Sequence, residues 1–308
     1  MATVETLRRL APPAGNDPRI ELVAAEAWSS LGDFKQGEAF AARAAERARA
    51  QNAKLLLARA LYHEGFALEN LNDLDGAMKA AEESGRRYES AGDRYGLAST
   101  LEVRGQLLDD RGDYPGALAK FNDELAIVRQ VGNRKAEASA LSHMAVVLNE
   151  QGKGDEARKM FEKALPIFLE VSDKRNYGIT LINIAGVMKD AGDLNGAKKT
   201  YEQALTVCRE INDQNGVSLS LTGIGTVLDG LGDSAGAKKM LEQAVALDLA
   251  GGQSSASSDK LIDLGDELQH LGDLAKARKN MKARSHYPAL RETRAWLLTR
   301  WRGWELWT

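Results

Sequence analysis

Cysteine is almost missing from this 308-residue chain: Cys208 stands alone in the sequence, so neither an intramolecular disulfide nor a CxxC metal or redox pair can form. A reducing, cytoplasmic compartment is the simpler expectation. No uncharged apolar run approaches the roughly 18 residues that a membrane helix requires. Met1 is followed by Ala-Thr-Val-Glu-Thr-Leu-Arg-Arg-Leu, which has no apolar signal core, so neither a membrane span nor a secretory leader is expected. Neither sign of charge dominates, with 41 basic against 44 acidic side chains and a net charge of −3. Residues 282–308 hold six of the basic groups and two of the acidic ones, which leaves −7 on residues 1–281. An acidic body is a poor nucleic-acid binder, and no nucleic-acid partner is expected.

Catalytic and metal motifs are also lacking. His63-Glu64 opens like the zinc-protease HExxH, but position 67 is Ala67 and the second ligand is missing. Gly223-Ile224-Gly225 opens like GxGxxG, yet Leu228 occupies the third glycine position and no strand precedes it. Asp73, Asp75, Gly76 and Glu82 have the spacing of a calcium loop, but its first ligand position holds Leu71. There is no GxSxG, no GxxxxGK[ST] phosphate loop, and no kinase HRD or DFG. The expectation is therefore a protein without catalysis, metal or cofactor.

What the chain does have is a repeat. The pair Gly-Asp recurs at Gly32, Gly112, Gly192, Gly232 and Gly272, with Asn72-Asp73 and Gly152-Lys153 filling the gaps at a period of 40 residues. A second turn series, Gly92-Asp93, Gly132-Asn133, Ser172-Asp173, Asn212-Asp213 and Gly252-Gln253, runs in the same register. Each unit therefore contains two elements and two turns.

Leu61, Gly65 and Leu68 fall at i, i+4 and i+7 and so share one helix face. The same positions read Leu101-Gly105-Leu108, Leu141-Ala145-Leu148, Leu181-Ala185-Met188, Leu221-Gly225-Leu228 and Leu261-Gly265-Leu268. A middle site that is always Gly or Ala implies a close crossing by another helix. The second helix carries the complement, a small residue at Ala77, Ala117, Ala157, Ala197, Ala237 and Ala277. Four residues later come Ala81, Phe121, Phe161, Tyr201, Leu241 and Met281. A Gly that ends one helix in the left-handed conformation, followed by an Asp that caps the next, sets the boundaries. Lys153 breaks that rule, and Gly154-Asp155 is expected to shift the cap by two positions. Pro166 lies inside a second helix, where it should bend the helix or remove a hydrogen bond.

These residues resemble the tetratricopeptide repeat, whose first helix carries large, small and large residues and whose second carries small, aromatic and small ones. Leu181, Ala185, Met188, Ala197, Tyr201 and Ala204 match that set in order. The resemblance covers about residues 20–283, or nearly seven units. The usual unit has about 34 residues and a closing Pro, whereas these have 40 and lack it. In that respect they are similar to the longer variant of Leu-Gly-Asn-repeat scaffolds and of the sensor arms of maltose-activator-type regulators. The segment 17–34 resembles the opening of arrays fused behind bacterial signalling kinases and winged-helix regulators.

The resemblance implies an all-α, right-handed α-solenoid of about seven helix pairs that binds a protein or peptide in a concave groove. The implied groove residues are Arg59, Tyr62, His63 and Phe66; Ser99, Glu102, Val103 and Gln106; Ser139, Ser142, His143 and Val146; Ile179, Ile182, Asn183 and Gly186; and Leu219, Thr222, Gly223 and Thr226. Asn183 is at the position where that family holds a ligand backbone. Acidic and amide residues gather at the ends of the first helices, at Glu69, Asn70, Asp109, Asp110, Asn149, Glu150, Asp190 and Asp229, and read as a solvated face.

The organisation expected is a linker or incomplete segment at 1–19, the array at 20–284, and a Trp/Arg-rich tail at 285–308. Pro12, Pro13, Gly15, Asn16 and Pro18 mark the first, and Trp296, Trp301, Trp304 and Trp307 mark the last. Leu297, Trp301 and Trp304 fall on one helical stripe, but Pro288, Gly303 and the loss of both register and acidic composition suit a shifted reading frame or a truncated gene slightly better. Uncovered ends leave end-to-end self-association open. Three function classes remain: a non-catalytic binding scaffold, the sensor or docking arm of a larger signalling protein, and an enzyme whose site is not apparent from motifs.

Overall fold

A computed structural model describes residues 17–250. Among them twelve helices follow in order: α1 (Pro18–Ser30), α2 (Phe34–Ala50), α3 (Lys54–Asn70), α4 (Leu74–Ala91), α5 (Arg94–Asp110), α6 (Tyr114–Gln130), α7 (Arg134–Glu150), α8 (Gly154–Glu170), α9 (Lys174–Asp190), α10 (Leu194–Glu210), α11 (Gln214–Gly230) and α12 (Ser234–Ala250). Most have 17 residues, about 25 Å of helix axis. The seventh unit's residues and the 285–308 tail lie outside the described residues.

Every connection is made the same way. Gly32, Asn52, Asn72, Gly92, Gly112, Gly132, Gly152, Ser172, Gly192, Asn212 and Gly232 take positive φ, one every 20 residues. The backbone N–H of the next residue then returns to a carbonyl five residues back, Asp113 to Leu108 at 2.8 Å and Asp193 to Met188 at 2.9 Å. The carboxylates of the same two residues accept from the N–H of Gly116 at 3.1 Å and of Gly196 at 2.9 Å. One aspartate thus closes the outgoing helix with its own N–H and opens the next with its side chain.

Lys153 does not shift the boundary by two residues as its sequence suggests. Helix α8 begins at Gly154, in register with the other units, and the Lys153 carbonyl accepts the N–H of Ala157 at 3.0 Å. Ala157 and Phe161 are buried at their repeat positions, so packing in this unit follows the common register. Pro166 lies inside α8, which runs on to Glu170.

The described residues divide into two compact units, with the boundary inside α8 between Ile167 and Phe168. In the first, α1 to α7 each pack on the next, and the first helices of successive pairs also touch one another, α1 with α3, α3 with α5 and α5 with α7. In the second, α9 to α12 pack in sequence and α9 also meets α11. Within each unit this is the layering of an all-α solenoid, in which the first helices line one face.

The small middle position behaves as its composition implies. A Cβ on Gly105 would come within 2.5 Å of the Phe121 ring, and one on Gly225 would meet Leu241 at 3.0 Å. Ala185 and Ala145 are fully buried at the same position. Large residues of the second helices fill the space that small residues of the first leave open.

Candidate functional site

On the first unit's lining face, Arg59, Tyr62, His63 and Phe66 project from α3, Glu102 and Gln106 from α5, and Ser142, His143 and Val146 from α7, all at least partly accessible. Phe66 is exposed and stands edge-on to Phe34, with ring centroids 6.1 Å apart. Tyr62 packs against the cluster of Ala77, Ala81, Val103 and Leu107 while keeping part of its surface. Val103 is 4% exposed inside that cluster, so it is a core residue and not a lining one.

A contact repeats across neighbouring first helices. Glu26 Oε1 reaches His63 Nε2 at 3.1 Å and also pairs with Arg59. Two pairs further on, at the equivalent positions, Gln106 Nε2 lies 3.4 Å from His143 Nε2. His143 rests against Phe121 with centroids 5.3 Å apart. Burial lowers its pKa to about 4, so the ring is neutral at pH 7. The 3.9 Å separation of His143 Nδ1 from Glu102 Oε1 is too long for a hydrogen bond. It is therefore not a working ion pair, and His143 Nδ1 has no hydrogen-bond partner among the described residues.

Beneath this face lies a residue that sequence reasoning missed. Glu124, on α6, is 1% exposed, and its Oε2 has no hydrogen-bond partner among the described residues. Burial, and then the nearby charge of Glu102, push its pKa up to about 9. Glu102 itself is raised by burial. Tyr62 is pushed to about 12 by burial and by the charges of Glu102, Glu69 and Glu124. A signal for Glu124 was present in the repeat: the equivalent positions are Ala44, Ser84, Ala164, Ala204 and Ala244.

Glu69 at the end of α3 and Asp109 at the end of α5 are not simply solvated, although Asp110 and Glu150 beside them are exposed. Glu69 is raised to about 7 by burial and by Asp110 and Glu102. Asp109 rises to about 6 through burial, through Glu150 and Asp110, and through a hydrogen bond with Glu150. These groups also sit at the negative ends of their helices, which disfavours their ionised forms further.

In the second unit, Ile182, Asn183 and Gly186 of α9 and Thr222 and Thr226 of α11 are partly accessible. Gly223 is buried because the Tyr201 ring lies on it, 2.3 Å from where a Cβ would stand. Thr222 donates to the Ser218 carbonyl at 2.9 Å and Thr226 to the Gly223 carbonyl at 3.0 Å. A cavity of about 480 Å³ in this unit is lined by Arg209, Asn212, Gln214, Val217, Leu221 and Gln243 among others, away from the lining positions. Among the described residues no group of three or more His, Cys, Asp or Glu is placed to hold a metal ion, and no helix is long and apolar enough to cross a membrane.

The tetratricopeptide repeat family model matches residues 136–210 and 178–250. No curated protein matches the sequence. Solved structures do match in fold. The apo form of RapI superposes with a TM-score of 0.69 at 14% identity over 87% of this chain and 96% of that one. A Rap protein complexed with Competence and Sporulation Factor gives 0.71 at 14% identity over 92% and 78%. The signal transduction ATPase with a tetratricopeptide repeat sensor from Pyrococcus horikoshii gives 0.70 at 16% identity, over 90% of this chain and 43% of that protein.

Proposed function

We propose that this array of tetratricopeptide-like helix pairs is a non-catalytic scaffold that binds a peptide or an extended protein segment on its first-helix face. The observation that carries the reading is a contrast between two sets of positions. The packing positions of the first helix keep one pattern in every unit, while the accessible positions beside them change: Tyr62, Glu102, Ser142, Ile182 and Thr222 at one, and Phe66, Gln106, Val146, Gly186 and Thr226 at another. A repeated frame with a chemically varied face suits recognition of an irregular ligand. Likeness of fold to a Rap protein that carries a bound factor supports the same reading. Cys208, fully buried with its thiol pushed up by burial and by Asp213, is not an activated nucleophile.

The test is selection of a displayed random dodecapeptide library on the immobilised chain, followed by affinity measurements on His143→Ala and Asn183→Ala. Weaker binding with unchanged thermal melts is expected. Binding that survives both changes together and is lost on altering the second helices would move the site off this face.

A second reading, the sensor or docking arm of a larger signalling protein, is favoured by one observation: the Pyrococcus horikoshii protein is more than twice the span matched here. A kinase or DNA-binding domain encoded in the adjoining upstream frame would support it.

A further inference from the structure

Two of the carboxylates that this chain buries are supplied with cations. Glu21, fully buried, has Arg47 Nη1 at 3.1 Å and Arg43 Nε at 3.4 Å. Glu137 takes Arg129 Nε at 2.8 Å and also pairs with Arg134. Against a burial effect that works the other way, the hydrogen bonds of those two arginines hold Glu137 below the usual carboxylate range. Glu124 and Glu102 are treated differently. Neither has a Lys or Arg within ion-pair distance among the described residues, and Arg59, the cation on the same face, is engaged by Glu26.

Glu124 is also out of place by size. Four of the five equivalent described positions are Ala and the fifth is Ser84, whose hydroxyl donates to the Ala58 carbonyl at 2.7 Å. A small apolar residue is thus sufficient for packing here. A buried carboxylate with a bare oxygen gives the folded chain nothing by itself, and leaving such a group unmatched is costly. The charge of Glu102 acts on Glu124 and that of Glu124 on Tyr62, and neutral His143 lies 3.9 Å from Glu102 and 3.4 Å from Gln106 on the lining face. The rim beyond adds Glu69, Asp109 and Glu150, again with no cation among the described residues within ion-pair distance.

We propose that the first unit's lining face takes a cationic segment of the ligand, with a lysine or arginine side chain seated against Glu102, between Tyr62 and the Gln106–His143 pair, above Glu124. The proposal rests on the peptide-binding reading and names the class of peptide. The ligand's cation supplies the partner that the fold withholds from Glu102, and its charge favours release of the proton that buried Glu124 otherwise keeps at pH 7. The aromatic ring of Tyr62 and the apolar side chain of Val146 offer room for the aliphatic stem. The carboxylates on the rim attract further basic residues, an attraction that salt weakens.

The dodecapeptide selection is read for composition, and selected sequences are then synthesised in pairs, one as found and one with its Lys or Arg replaced by norleucine. Enrichment of Lys and Arg over the input library is expected. Norleucine should weaken binding at least tenfold, and both Glu102→Gln and Glu124→Ala should weaken the basic peptide while leaving its norleucine twin unaffected. Circular dichroism checks the fold of each variant, and Glu102→Gln carries the test alone if Glu124→Ala does not fold. Selected peptides no richer in Lys and Arg than the input, or indifferent to both variants, would overturn the cation seat and leave peptide binding standing. Failure to enrich any clone over bare support would overturn both.

Discussion

Replacing Glu124 by glutamine tests the burial of this carboxyl without changing its shape. With its pKa raised from 4.5 to about 9, the folded chain keeps the Glu124 proton at pH 7 while the unfolded chain releases it. For an acid whose pKa rises on folding, stability is greatest below the unfolded value and declines as pH rises, levelling only above the folded one. The decline is about 1.4 kcal/mol per pH unit. Between the unfolded value and pH 7 it amounts to about 3 kcal/mol, and the 1% exposure of Glu124 leaves solvent little part in screening it. Glutamine imitates the protonated acid and does not titrate. The variant should therefore match the parent near pH 4 and exceed it by about 3 kcal/mol at pH 7. Glu102 contributes to the shift, so Glu102→Gln should reduce the slope without abolishing it. Urea unfolding followed by circular dichroism at several pH values between 4 and 9 measures both. Parallel stability profiles for parent and Glu124→Gln, offset by a constant at every pH, would refute the reasoning.

Three further outcomes are expected. Leu141→Ala and Leu181→Ala, at 3% and 4% exposure, should each cost about 2–5 kcal/mol in urea melts, because each fills a repeated site between helices. Gly105→Ala should destabilise by about 1–3 kcal/mol, since its Cβ would fall 2.5 Å from the Phe121 ring, and a second change of Phe121→Leu should recover part of the loss. Asp93→Ala removes the 2.9 Å bond to the Gly96 N–H and should cost about 1 kcal/mol, whereas Asp93→Asn, which keeps the acceptor, should cost less.

The all-α architecture and nearly every helix boundary could be read directly, because the chemistry that sets them is local. A residue able to take positive φ and an Asp or Asn three positions before the N–H that it caps are sequence neighbours, and their recurrence every 20 residues makes each turn predictable from the others. The Leu-small-Leu face of the first helices was legible for the same reason: i, i+4 and i+7 meet within one helix whatever surrounds it. Where the decision belonged to a neighbouring helix, sequence was silent or misleading. The shifted start expected at Lys153 gave way to packing of Ala157 and Phe161 in the common register. Val103 and Gly223 occupy lining positions in the repeat, yet the Ala77–Leu107 cluster buries one and the Tyr201 ring covers the other. Glu124 stands out in the sequence only by its size against Ala or Ser at the equivalent positions, which does not reveal its burial, and the carboxylates of Glu69 and Asp109 look like a solvated helix end. Their burial, and the proximity of Glu102 to Glu124, arise only when α3, α5, α6 and α7 are laid side by side. Desolvation and charge repulsion are properties of that assembled surface, which no spacing along one helix records.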